Sequence, residues 1–117
     1  MIELAPVGRT GVCAVHAIPL ERGVAALVDG VAVAVFRTHA GEVLAIGDVD
    51  PFSGASVLSR GIVGSRGDVP VVSSPMYKQA FDLRTGQCLD DPSVRVTSYD
   101  VAVDDGVVRV GPAREVV

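Results

Sequence analysis

Tryptophan is absent from these 117 residues, and the whole aromatic set is three Phe and two Tyr. Cysteine and histidine are scarce too, with two of each. Two cysteines make no disulfide framework of the kind small secreted domains need. In a reducing compartment Cys13 and Cys88 should be free thiols, each most simply a small buried hydrophobe. Their spacing sets no distance, so sequence leaves a disulfide between them open. Basic residues are unclustered and the formal net charge is −4, which gives no footprint for a phosphate backbone and argues against nucleic acid as a partner. No apolar run approaches the roughly 20 residues of a membrane-spanning helix. Met1–Pro6 lacks the basic stretch and long apolar core of a signal peptide, so the default expectation is a cytoplasmic protein with no membrane partner.

What is present is valine, with glycine and proline scattered along the chain. Valine's stiff χ1 suits a pleated strand better than a helix. Gly and Pro at frequent intervals suit short elements joined by tight turns. No window holds a 3.6-residue apolar period, and turn signals recur about every ten residues. The reading is strands near 11–16, 25–28, 31–36 and 43–47, with Asp29-Gly30 as a hairpin turn between two apolar runs. From Asp48 to about Gln79 the pattern breaks up: a short helical turn at 55–59, an irregular stretch over 62–70, then a strand-like 71–73. Strands follow at 80–83, 87–89, 96–103 and 107–110, with 111–117 as a flexible tail. The expectation is one all-β domain over 1–117, an antiparallel sandwich or barrel with a loop-rich insertion at about 48–79. Long loops on a compact β scaffold are where function tends to sit.

Self-contained chemistry is hard to find. Cys13-Ala14-Val15-His16 has a ligand-like C-x-x-H spacing, but on a strand residues three apart face opposite ways, and no second ligand pair accompanies it. His16 reads as a solvated strand residue and His39 as a turn residue. Serines 53, 56, 59, 65, 73 and 74 include no G-x-S-x-G elbow. Asp29, Asp48, Asp50, Asp90, Asp91, Asp104 and Asp105 read as turn formers that bond their own backbone. Gly61–Gly67 has the glycines of a phosphate loop, but neither its Lys nor a following helix. No catalytic residue and no cofactor-binding residue is assigned.

Two stretches carry a resemblance: Ala45–Leu58, containing Asp50-Pro51-Phe52, and Val71–Gly86, containing Ser74-Pro75-Met76-Tyr77. Together they resemble the Rieske ferredoxin domain, whose cluster loops read C-x-H and C-x-x-H. That resemblance implies a Rieske-like all-β fold. The match fails at the ligands. Asp50 and Ser74 stand where the cysteines would be, Phe52 and Tyr77 where the histidines would be. Two thiolates and two imidazoles are what such a centre requires; Asp and Ser are hard oxygen donors, and Phe and Tyr carry no ring nitrogen. No metal site and no cofactor is therefore expected in this chain.

The string Asp50-Pro51-Phe52, Ser56–Gly61, Ser74-Pro75, Lys78-Gln79 and Gly86-Gln87-Cys88 is similar to the small subunit of cytosolic NAD(P)H-dependent assimilatory nitrite reductase. The likeness runs from about Val12 to Val110. It implies a non-catalytic subunit, with a large-subunit partner that holds FAD, a [4Fe-4S] cluster and sirohaem and reduces nitrite to ammonia. The alternative is a stand-alone interaction or regulatory module that has reused the fold. Phe52 is expected to turn inward and fill the space a cluster would occupy, because empty core volume is costly. Met76, Tyr77 and Lys78, with Arg60, are the candidate partner interface.

Overall fold

The computed structural model describes residues 10–114. Nine strands lie among them: β1 (Thr10–Ala14), β2 (Arg22–Val28), β3 (Val31–Arg37), β4 (Val43–Gly47), β5 (Ile62–Arg66), β6 (Val69–Ser73), β7 (Ala80–Asp82), β8 (Ser98–Asp104) and β9 (Val107–Ala113). All pair antiparallel, in a six-stranded sheet of order β1-β9-β8-β4-β3-β2 and a three-stranded sheet β5-β6-β7. The larger sheet curls toward closure, and the all-β expectation holds. Asp29 and Gly30 both have positive φ, as the two central positions of a tight hairpin require, and β2 and β3 pair without a shift from Arg22↔Arg37 to Val28↔Val31.

At β3 and β4 the six-stranded sheet buries both faces. Val28, Val33, Val35, Ala45, Val108 and Val110 fill the inside of the curl with Ile18. Ala34, Phe36, Leu44 and Ile46 point the other way and meet Leu58, Val63, Val72, Phe81, Leu83 and Cys88. Strands buried on both faces read as continuous apolar runs rather than alternating ones, as Val31–Phe36 does. The second sheet is the lid on the second core.

The excursion that carries the lid leaves β4 at Gly47 and returns at Thr97, where the Gly47 N–H donates to the Thr97 carbonyl at 2.8 Å. It is longer than the 48–79 span expected. Four details within and beyond it differ from the sequence reading. The helical turn forms at Leu58–Arg60, three residues late, as a 3-10 turn. The stretch 62–70 is a hairpin, with Ser65 opposite Pro70. Only Val63 of β5 is buried, so no alternation marks it. Pro70's carbonyl accepts from the Leu83 N–H at 2.9 Å; the N and O of a strand residue face the same side, so its missing N–H leaves the β5 ladder intact. Residues 87–89 form isolated bridges to Phe81 and Arg95, not a strand. Finally, β9 continues to Ala113, three residues into the segment read as tail; Glu115–Val117 lie outside the described residues.

Candidate functional site

Two loops meet at the end of the molecule where β4 stops; buried Asp48 and Asp50 organise the first and buried Ser74 the second. Asp48 is not the surface turn residue expected. It is 2% exposed, and its N–H continues the β3–β4 ladder by donating to Ala32 O at 3.1 Å. Its Oδ1 accepts from the Ser59 N–H at 2.7 Å and its Oδ2 from the Ser56 hydroxyl at 2.6 Å. Its carbonyl accepts from Val57 and Leu58, both at 3.0 Å. One residue therefore satisfies the turn at Leu58–Arg60. That turn lies on β2 at Gly23, where a Cβ would stand 2.8 Å from Ser59 O and 2.6 Å from the Phe36 ring; only glycine admits so close an approach.

Asp50 and Ser74, the two cysteine slots, are fully buried and face each other. The Ser74 hydroxyl donates to Asp50 Oδ2 at 2.5 Å. Asp50 Oδ1 accepts from the Phe52 N–H at 2.8 Å, and Ser74 Oγ accepts from the Met76 N–H at 3.2 Å. Gly54 donates to the Asp50 carbonyl at 2.7 Å, and Ser74 exchanges backbone bonds with Gln79 and Lys78 at 2.9 and 3.0 Å. Lys78 sits at φ +66°, an uncommon conformation for a residue with a side chain.

The histidine slots diverge. Phe52 is half-buried, packs on the second core and tilts against Phe81 with ring centroids 6.3 Å apart, as expected. Tyr77 is 59% exposed and fills nothing. This donor set does not fit a two-iron cluster: the two oxygens at the thiolate slots bond each other, and the imidazole slots offer no nitrogen. Among the described residues no three His, Cys, Asp or Glu side chains gather as a metal site.

The remaining candidates separate. Cys13 and Cys88 are both free. Cys88 is buried as expected, whereas Cys13 is only half-buried; burial still pushes its thiol above the ordinary range, which lowers its thiolate fraction. His16 lies on a 3-10 turn, Val15–Ala17, not on a strand, so the opposite-face argument against C-x-x-H does not apply; the absence of further ligands among the described residues does. His39 is exposed with Nδ1 3.7 Å from Glu21. A cleft of about 480 Å³ near His39 lies at the far end from the loops, and Arg84 in it pairs with Glu42 at 3.0 Å.

Met76 (47% exposed), Tyr77, Lys78 and Arg60 are all exposed. Further exposed apolar side chains, not singled out by the sequence, lie at or near strand ends. Ile62, 78% exposed, pairs with Ser73 at the base of the second loop. Val49, which bridges Ser56, and Val31, which pairs with Val28, are both nearly half exposed. Leu27 on β2, 75% exposed, pairs with Ala32. Large exposed apolar side chains near the loop end are candidate contact positions. The sequence signal available was Leu27 and Val31 flanking the Asp29-Gly30 turn.

Fold and loops together define a Rieske-type domain without Rieske ligands, and residues 9–111 match the family described as "Rieske-like [2Fe-2S] domain". A Salmonella typhimurium protein, the nitrite reductase (NADH) small subunit, is 43% identical over 100 residues, 85% of this chain and 93% of that one. A crystal structure from Mycobacterium tuberculosis, described as an NADH-dependent nitrite reductase small subunit, superposes with a TM-score of 0.85 at 50% identity, covering 93% of this chain and 96% of that one. The chain belongs to the small-subunit family of NAD(P)H-dependent nitrite reductase. A Klebsiella oxytoca protein, the nitrite reductase [NAD(P)H] large subunit, is 39% identical over 100 residues, which is 86% of this chain and only 10% of that protein.

Proposed function

We propose that this chain is a cluster-free accessory subunit that docks through its loop end on a nitrite reductase large subunit. The partner is expected to carry FAD, an iron–sulfur cluster and sirohaem. This chain contributes surface, not a reacting group. The observation that carries the reading is the pairing at the cysteine slots: Asp50 and Ser74 are spent on each other inside, while Met76 and Tyr77 stand outside. Exposed Tyr and Met, with an exposed Arg60, are residue types enriched at interfaces. Ile62, exposed and paired with Ser73 at the base of the same loop, extends that surface. The Klebsiella relative supports a lasting association, because there a like segment makes up a tenth of a large-subunit chain. The cytosol is the compartment proposed, in keeping with two free thiols.

The test is reconstitution. The chain purified from iron-replete cells should hold far less than one iron per molecule; two irons per chain with the visible bands of a two-iron cluster would refute the cluster-free reading. NADH-dependent nitrite reduction by the large subunit should be lower without this chain. Tyr77→Ala with Met76→Ala should weaken its binding to the large subunit about tenfold or more, the effect expected of central interface anchors. Unchanged affinity would move the interface elsewhere.

A further inference from the structure

We infer that the buried Asp50–Ser74 hydrogen bond is a clasp that does the loop-joining work left vacant by the missing ligands and fixes the displayed segment Pro75–Lys78. In a ligated Rieske centre one iron takes both thiolates and the other both imidazoles, so the cluster ties two loops together from the inside. Asp50 and Ser74 stand in those thiolate slots, 24 residues apart, and join the loops directly. A hydroxyl-to-carboxylate bond is charge-assisted and among the stronger ones a buried pair can make. Among the described residues it is the sole hydrogen bond between the segments 48–61 and 74–79. Each partner is also the centre of its own loop. Asp50 holds Phe52 and Gly54, while Ser74 holds Met76, Lys78 and Gln79. Moving either residue moves the whole loop hung on it. The positive φ of Lys78 is kept by the same bonds.

The clasp itself stands on the loop geometry; only its effect on affinity rests on the docking reading. The experiment compares Ser74→Ala, the milder Ser74→Cys (similar in size, a poorer donor) and Asp50→Asn in the full chain. Backbone order parameters by NMR are the readout. In the parent, Met76, Tyr77 and Lys78 should sit near the rigid value of about 0.85. Ser74→Ala should drop them toward about 0.6 together with Phe52 and Gly54, with Ser74→Cys intermediate. Asp50→Asn should drop them partway, because the amide oxygen can still accept from Phe52 and its NH2 can donate to Ser74 Oγ, but the charge-assisted bond is lost and the Ser74 hydroxyl loses its acceptor. Strands β3, β4 and β9 should stay rigid in every variant. If Ser74→Ala and Ser74→Cys lower the melting temperature but leave loop order unchanged, the pair is one internal bond among many and the clasp is refuted. If loop order collapses and affinity for the large subunit falls with it, the clasp and the docking surface both hold. If loop order collapses and affinity is unchanged, the clasp stands and the docking reading fails.

Discussion

The six-stranded sheet and the excursion at 48–97 both draw on Val and Gly, but seven of the chain's eight Ser lie in the excursion, and different forces hold the two. In β3 and β4, Val33 to Phe36 and Leu44 to Ile46 are buried in a row, and the ladder satisfies the backbone. Carboxylates stay out of that core. In the excursion, backbone groups that no strand reaches are satisfied by side-chain oxygen. Asp48 holds Ser59, Asp50 holds Phe52, Asp82 holds Arg84, and Asp90 holds the Ala80 N–H at 2.7 Å. Hydrophobic burial is non-directional and scales with area. A hydrogen bond to a buried donor is directional and is lost outright when its acceptor goes. The sheet is thus a scaffold that tolerates exchange of one apolar side chain for another, and the loop end is a shape that depends on individual atoms.

The largest effect should come from the scaffold. Phe36 is fully buried, and its ring lies against Gly23 under the loop turn. Phe36→Ala should cost about 3–5 kcal/mol of global stability in denaturant unfolding, whereas Phe36→Leu should cost far less because most of the volume stays. A cost below about 1 kcal/mol for the alanine variant would mean the core is looser than its burial implies.

Asp48→Ala comes next, at about 2 kcal/mol, the penalty for leaving the buried Ser59 N–H without an acceptor. Ser56→Ala removes only the exposed partner of the same carboxylate and should cost well under half as much. Comparing the two by thermal unfolding and amide chemical shifts separates organiser from accessory. Shifts should move across 55–61 and at Gly23 for Asp48→Ala, and near residue 56 alone for Ser56→Ala. Equal costs would remove the distinction drawn between directional and bulk forces at this end.

The same contrast explains what was legible in the sequence. Val31–Phe36, Val43–Gly47 and the Asp29-Gly30 turn could be read because apolar runs and positive-φ turns are local signals. The hairpin at 62–73 could not: Gly64, Gly67 and Pro70 look like breakers, and β5 buries a single residue, so no period forms. At the loop end, resemblance drew attention to Asp50, Phe52, Ser74 and Tyr77, and Phe52's inward turn followed from packing. The Asp50–Ser74 bond, and Asp48 as the organiser of its loop, are products of tertiary folding between residues many positions apart. Asp48 and Asp50 carry no local mark distinguishing them from the surface aspartates Asp29 and Asp105. Leu27, Val31 and Val49 stand exposed near the loop end although each sits in or beside an apolar run, so a local pattern reads them as strand interior.

The smallest effect expected is pH-dependent and tests whether an exposed carboxylate in the excursion behaves like the buried ones. Asp90 lies below the usual carboxylate range, first because the Ala80 N–H donates to it and then because Arg66 sits 3.2 Å away. Its folded pKa is therefore under the unfolded value of about 3.9. The stability it contributes is complete above that unfolded value and is lost as pH falls through the folded one. Melting temperature should thus be flat in this respect at neutral pH and fall more steeply in acid for the parent than for Asp90→Asn. Arg66→Ala should remove part of that acid slope, because the backbone donor remains. Both partners are half exposed, so water screens the pair and the change should be slight. Added salt should erode the Arg66 share and spare the Ala80 share. An acid slope identical in parent and Asp90→Asn would assign the acid sensitivity of the excursion to carboxylates other than Asp90.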